Sequence, residues 1–247
     1  MPTVTDTHIS KPENRQAKPA RVLAIGDIHG CLRALDTLFE MVVPTADDLV
    51  IALGDYVDRG PDSRGVIDRL IEFSASRPLV ALLGNHEQMM LEADEDPATM
   101  ESWRVYGGAE TLMSYGADAA TEGLQCVPEG HWRFLRETCV DWYENDTHFF
   151  VHAGVDAELP LARQSIYRLR WEKFDCPRPH PSGKVMVCGH TRQLSGVPLN
   201  LGHAVCIDTN VYGDGWLTCL DTQSGQLWQA SQRGPSRTAH LDEFLVE

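Results

Sequence analysis

The sequence predicts an α/β fold built on a parallel, buried sheet, and three observations predict it. Apolar runs and amphipathic segments alternate in β-α-β-α-β order from residue 21 to residue 83. The runs are strongly apolar, as in strands covered on both faces. Each run enters a short motif of Gly with Asp, Asn or His at the carboxyl end of its strand, the edge where open α/β sheets build their sites.

Arg21 to Ile25 is the first strand and ends at Gly26-Asp27-Ile28-His29-Gly30. A helix follows, because Leu32, Leu35, Leu38, Phe39 and Val42 recur at helical spacing. Asp48 to Leu53 is the second strand and runs into Gly54-Asp55-Tyr56-Val57-Asp58-Arg59-Gly60. Val66, Ile67, Leu70 and Ile71 mark the second helix, and Leu79 to Leu83 the third strand, which enters Gly84-Asn85-His86-Glu87. Residues 88–147 read as a mostly helical, cap-like insertion rich in Trp, Tyr and Met. His148 to Val151 resumes the strand pattern and enters His152-Ala153-Gly154. Lys184 to Cys188 precedes Gly189-His190-Thr191, and Ala204 to Asp208 is a further strand. Trp216 to Asp221 and Gln226 to Ala230 flank Thr222-Gln223-Ser224-Gly225, a hairpin signal. The main domain is therefore expected over residues 21–232. Residues 1–20 are expected to form a disordered arm, and residues 233–247 a polar C-terminal tail.

The chain has 247 residues, 43% hydrophobic and 23% charged, which suits a globular domain with a sizeable core. Its formal net charge of -15 argues against nucleic-acid backbone or an anionic membrane surface as partner. No apolar run approaches the ~18 residues of a membrane-spanning helix. The polar N-terminus has no apolar stretch of signal-peptide length. Seven scattered Cys without a C-x-x-C pair favour free thiols in a reducing compartment, so the expected location is the cytoplasm.

The motifs offer the donors that metal ions take. Asp27 and His29 are spaced i, i+2, so in an extended segment both could reach one ion. Asp55, from the neighbouring strand, could bridge two ions, and Asn85, His152 and His190 could complete the second. Carboxylate, imidazole and amide oxygen together suit Mn2+, Fe or Zn2+ better than Ca2+. His86 is left over to move protons, and Arg59 offers a planar fork for phosphate oxygens. Taken singly, each motif could be a strand-ending turn. Five in order, each after an apolar run, point to hydrolysis of a phosphate ester at two divalent ions.

The motifs G-D-x-H-G, G-D-x-V-D-R-G, G-N-H-E, H-A-G and G-H-T resemble those of the phosphoprotein phosphatase family of metallophosphoesterases, nearest its small bacterial and phage-type branch. The resemblance spans about residues 21–221. It implies a sandwich of two mixed β-sheets flanked by helices in four layers, with a dinuclear metal site at one sheet edge. It implies that Asp27, His29 and Asp55 hold one ion and that Asp55, Asn85, His152 and His190 hold the other, with Mn2+ as the expected metal. A metal-bridging hydroxide would then attack phosphorus in line. By the same resemblance His86 protonates the leaving oxygen, Asp58 orients His86, and Arg59 contacts the phosphate.

One departure concerns a second phosphate-binding Arg that relatives carry as W-x-R. Here the segment reads Arg168-Leu169-Arg170-Trp171-Glu172-Lys173, so Trp-x-Arg becomes Trp-x-Lys. Arg170 is taken as the second phosphate contact, with Lys173 as the alternative. Asp208 ends a strand near the expected site and could support it. The resemblance implies a serine/threonine protein phosphatase acting on phosphomonoesters. Alternatives are a symmetrical dinucleoside tetraphosphate hydrolase and an inactive phosphate-binding scaffold on the same fold. The expected partner is a phosphorylated protein or small phosphoester, with no nucleic acid and no membrane.

Overall fold

The computed structural model describes residues 18–117 and 123–246, so most of the expected N-terminal arm lies outside the described residues. The first half builds the predicted alternation: β1 (Val22–Ile25), α1 (Leu32–Val42), β2 (Leu49–Ala52), α2 (Ser63–Ser74) and β3 (Leu79–Ala81). β1, β2 and β3 are parallel neighbours. In α1 Leu35, Leu38, Phe39 and Val42 are buried on the i, i+3, i+4, i+7 face of an amphipathic helix, with Ala34 beside them. Asp62 caps α2, its carboxylate accepting the Gly65 N–H.

The insertion holds α3 (Asn85–Glu95), α4 (Met100–Trp103), α5 (Ala109–Ser114) and α6 (Glu129–Arg133). The chain bends between α4 and α5 at Gly107, whose φ of 118° is open to glycine at little cost. Beyond lie β4 (Trp142–Glu144), β5 (His148–Val151), α7 (Ile166–Trp171), β6 (Val185–Cys188), β7 (Leu199–Asn200) and β8 (Ala204–Cys206). The last strands are β9 (Asp208–Thr209), β10 (Trp216–Asp221), β11 (Gln226–Ala230) and β12 (Ser236–His240).

These strands form two mixed sheets. One runs β12-β11-β10-β1-β2-β3, with β9 on β10, and the other β4-β5-β6-β8-β7. The period-2 geometry of a strand then explains why the runs are apolar throughout. Val22 and Ala24 meet Phe150, Val187 and Val205 between the sheets, while Leu23 and Ile25 face the core under α1 and α2. A third cluster, with Phe149, Met186 and Leu169, fills the outer face of the second sheet under α7. The result is the four-layer order helices, sheet, sheet, helices. No helix among the described residues is long and apolar enough to cross a membrane. None of the seven cysteines is in a disulfide.

Two boundaries differ from the sequence expectation. The stretch expected as a tail from residue 233 holds a strand: β12 pairs along the whole of β11, from Gln226↔His240 to Ala230↔Ser236. Its polarity reflects an edge position in which Ser236, Arg237 and Thr238 face solvent. The insertion also ends early, because Trp142 and Tyr143 belong to β4, paired with β5.

Candidate functional site

Five strands deliver the motifs to one place. β1, β2 and β3 of the first sheet and β5 and β6 of the second end beside each other, and Asp27, Asp55, Asn85, His152 and His190 follow them directly or within a few residues. The turns after these strands are tight. Among the described residues eight non-glycine residues have positive φ, and five of them are His29, Asp55, Asp58, Arg59 and His190. Left-handed backbone costs these residue types energy, so the surrounding structure must hold it in place.

The Glu87 carboxylate does much of that holding. It accepts the backbone N–H groups of Asp55 (2.8 Å), Tyr56 (2.6 Å), Val57 (3.1 Å) and Gly84 (2.9 Å). Burial and the neighbouring Asp55 push this carboxyl up, and the N–H donors oppose them. A Cβ at Gly84 would overlap Asp55 Oδ1, so only glycine lets the two loops approach this closely. Sequence reading placed Glu87 in a motif without giving it a role. Its signal was a carboxylate three residues inside a helix whose preceding loop is all backbone donors.

The imidazoles are oriented by backbone carbonyls. His29 Nδ1 donates to Val57 O (2.9 Å), His152 Nδ1 to Leu53 O (2.8 Å) and His190 Nε2 to Trp171 O (3.2 Å). A carbonyl only accepts, so each of these nitrogens carries the proton and the other ring nitrogen presents a lone pair. Those lone pairs converge on more lone pairs. His152 Nε2 and His190 Nδ1 lie 3.0 and 2.9 Å from Asn85 Oδ1. His29 Nε2 lies 3.5 Å from Asp55 Oδ2, and His152 Nε2 3.4 Å from Asp55 Oδ1. Burial lowers the pKa of all three histidines, that of His190 to about 3, so protons do not relieve the repulsion. The donor set fits divalent cations, which would take these lone pairs.

Two overlapping groups have the spacing of a metal site: His29, Asp55 and His86, and Asp55, His152 and His190. Asp55 is common to both. Asp27 is buried, and its carboxylate accepts the His190 backbone N–H at 3.0 and 3.1 Å. The extended i, i+2 relation expected of Asp27 and His29 does not hold, because His29 turns into the left-handed region at φ 45°. Burial, then Asp208 and Asp55, raises the Asp27 carboxyl well above its ordinary value, the signature of clustered carboxylates in want of a cation. Asp208 is itself buried and pushed up to about 6 by that burial.

His86 is held between two carboxylates. Its Nδ1 donates to Asp58 Oδ2 at 2.6 Å, and its Nε2 lies 4.0 Å from Asp55 Oδ2. Burial works against a charge on the ring, and Asp55 and Asp58 outweigh it, so its pKa is raised. Asp58 is held in turn by Trp103 Nε1 (3.0 and 3.1 Å) and Thr111 Oγ1 (2.7 Å), both from the insertion. The backbone N–H of Arg59 donates to Gly107 O. Trp103, Gly107 and Thr111 thus tie the insertion to the second motif, a link that the short motifs gave no means of finding.

A cavity of about 670 Å³ opens over this cluster. Asp55, Asn85, His86 and His190 form its floor, and Arg59 and Lys173 bring positive charge to its walls. Met89, Glu92, Ser102, Tyr106 and Trp171 complete them. Arg170, expected at the phosphate, does not line this cavity. Its guanidinium pairs with Asp141 (2.5 Å) and reaches Gln88 Oε1 (3.3 Å). Two further histidines are engaged elsewhere: His131 joins Tyr115 to Asp68, and His203 bonds Pro177 O.

Residues 20–194 match the family model described as calcineurin-like phosphoesterase. Serine/threonine-protein phosphatase 1 of Salmonella typhimurium is 41% identical over 158 residues, 62% of this chain and 68% of that one. A symmetrical bis(5'-nucleosyl)-tetraphosphatase of Ralstonia nicotianae is 34% identical over 132 residues, 53% of this chain and 41% of that one. Among solved structures, the cold-active protein-tyrosine phosphatase of a psychrophilic Shewanella species aligns with a TM-score of 0.58 at 19% identity. The alignment covers 89% of this chain and 80% of that one, a likeness of fold alone.

The Glu87 clamp makes a prediction about stability. Glu87→Gln keeps the shape but turns an amide NH2 toward backbone N–H donors, so part of the clamp loses its acceptor. The cost should be about 2–4 kcal/mol in urea unfolding, since each buried orphan donor costs ~1–3 kcal/mol. An unchanged urea midpoint would show that the loops hold themselves.

Proposed function

The chain belongs to the calcineurin-like phosphoesterase family, and from that premise we propose that it is a serine/threonine protein phosphatase hydrolysing phosphomonoesters. The observation that carries the reading is the convergence of carbonyl-oriented imidazoles on Asp55 and Asn85 under one cavity. The 41% identity to a serine/threonine-protein phosphatase favours a protein substrate. So does the cavity wall. Glu92 brings negative charge there, which opposes a polyphosphate chain. Trp103 is buried with its indole N–H committed to Asp58, so it is not free to stack on a base.

In this reading Asp27, His29 and Asp55 hold one divalent ion, and Asp55, Asn85, His152 and His190 the other. Mn2+ is the metal proposed, with Fe or Zn2+ as alternatives. Two such ions would supply Lewis acidity toward a water and toward phosphate oxygens. The remaining work falls to the chain. Arg59 and Lys173 bind and orient the phosphate. His86 gives the proton from Nε2 to the leaving oxygen of serine or threonine, an alkoxide that cannot depart unprotonated. Asp58 holds the ring by its other nitrogen and favours its charged form. Lys173 replaces Arg170 as the second phosphate contact, because the Asp141 ion pair already occupies Arg170.

A panel of phosphoserine, phosphothreonine and phosphotyrosine peptides, mononucleotides and dinucleoside tetraphosphates, assayed with Mn2+, tests the function. Phosphoserine and phosphothreonine peptides should give the highest kcat/KM. Preference for dinucleoside tetraphosphates would overturn the protein-phosphatase reading in favour of the activity named in the 34% identical relative.

His86→Ala should keep its metal content and lose ~10²–10⁴-fold in kcat on phosphoserine, the usual contribution of a general acid. The loss should shrink for p-nitrophenyl phosphate, whose leaving group needs less proton help. Equal losses on both substrates would rule out the acid role.

Lys173→Ala should raise KM and weaken inhibition by free phosphate by about tenfold, the scale of one charge-assisted contact. Arg170→Ala should instead lower stability, through loss of the Asp141 pair, with a smaller change in phosphate inhibition. The reverse pattern would return the phosphate contact to Arg170.

A further inference from the structure

Arg59 is held without a carboxylate. Among the described residues it forms no ion pair with Asp or Glu, although it borders a strongly acidic cluster. Its guanidinium lies instead on Tyr212, with Cζ 4.9 Å from the ring centroid. The same ring meets His29 edge-to-face, at 5.0 Å between centroids and 87° between planes. From another side Arg192, the residue after Gly-His-Thr, brings its Cζ to 5.6 Å of the centroid and donates to the Tyr212 hydroxyl. Tyr212 belongs to none of the five motifs. It reaches the site from the turn between β9 and β10.

The chemistry of the stack suits a phosphate ligand. A carboxylate partner would fix Arg59 but cancel its charge and occupy its N–H donors. An aromatic face fixes the guanidinium plane and leaves charge and donors free for an anion. The other side-chain contact of Arg59 is its Nη1 at 2.9 Å from His29 Nε2. That nitrogen has one lone pair, so a cation held there would leave the Tyr212 ring as the support of Arg59.

We infer that Tyr212 is a positioning residue that aims Arg59 at the substrate phosphate by cation–π stacking, with Arg192 anchoring its hydroxyl. The inference rests on the reading of Arg59 as a phosphate contact. It adds the reason that Arg59 can serve as one.

The test measures binding of inorganic phosphate to the Mn2+-loaded protein by calorimetry, with metal content and steady-state kinetics alongside. Tyr212→Leu should weaken phosphate binding and raise KM by about three- to thirtyfold, the range of a cation–π contact from partly exposed to desolvated. Its kcat and metal content should change far less. Tyr212→Phe keeps the ring and should restore binding to within about twofold of wild type. On an Arg59→Ala background, Tyr212→Leu should add nothing further, because the two residues act as one unit. Independent, multiplying losses on that background would overturn the inference, and so would a loss of metal in Tyr212→Leu, which would place its effect on His29. If Arg59→Ala alone binds phosphate as wild type does, the reading of Arg59 fails, and the role of Tyr212 fails with it.

Discussion

The Glu87 carboxylate is the point from which the site is built. Four backbone N–H groups from the second and third motifs converge on its two oxygens. Loops that turn at positive φ cannot satisfy those donors within a helix or a ladder, and buried orphan donors would unfold them. By collecting them, Glu87 lets Asp55 keep its strained backbone, while the N–H groups of Asp58 and Arg59 are taken by Ser63, Thr111 and Gly107. It also joins the end of β2 to the start of α3, which brings Asp55 against the His86 N–H at 3.1 Å. Asp55 and His86 are thereby registered through backbone rather than through flexible side chains.

A second level of preorganisation lies in the histidines. Three of them spend one ring nitrogen on a carbonyl at or near the ends of β2 and α7 and in the second motif. This sets both tautomer and ring plane before any ligand arrives. His86 differs in one respect, since its partner is a carboxylate rather than a carbonyl. Burial lowers the pKa of those three rings, while Asp55 and Asp58 outweigh burial and raise that of His86. Identical side chains acquire two different jobs from the second atom each of them touches.

The insertion contributes more than a cover. Trp103 and Thr111 hold the carboxylate that holds His86, and Gly107 O holds the backbone of Arg59. The wall of the cavity and the placement of His86 are thus parts of one packed unit.

Much of this was legible in the chain itself. Continuous apolar runs ending in Gly, Asp and His give both the strands and the edge at which the site forms, because strand burial and loop chemistry are local properties of sequence. Donor types alone point to divalent metal and to a spare His for proton transfer. Tertiary structure decided what depends on partners distant in sequence. Arg170 and Lys173 are three residues apart and both cationic, and only the position of Asp141 shows that one is neutralised and the other faces the cavity. β12 is polar and reads as a tail, and becomes a strand because β11 offers it an unpaired edge. Tyr212 gains its place from a turn folded back over β1, and no local pattern carries that information. Periodicity and motif chemistry are written in neighbours along the chain. Ion pairing, edge pairing and ring stacking are settled by neighbours in space.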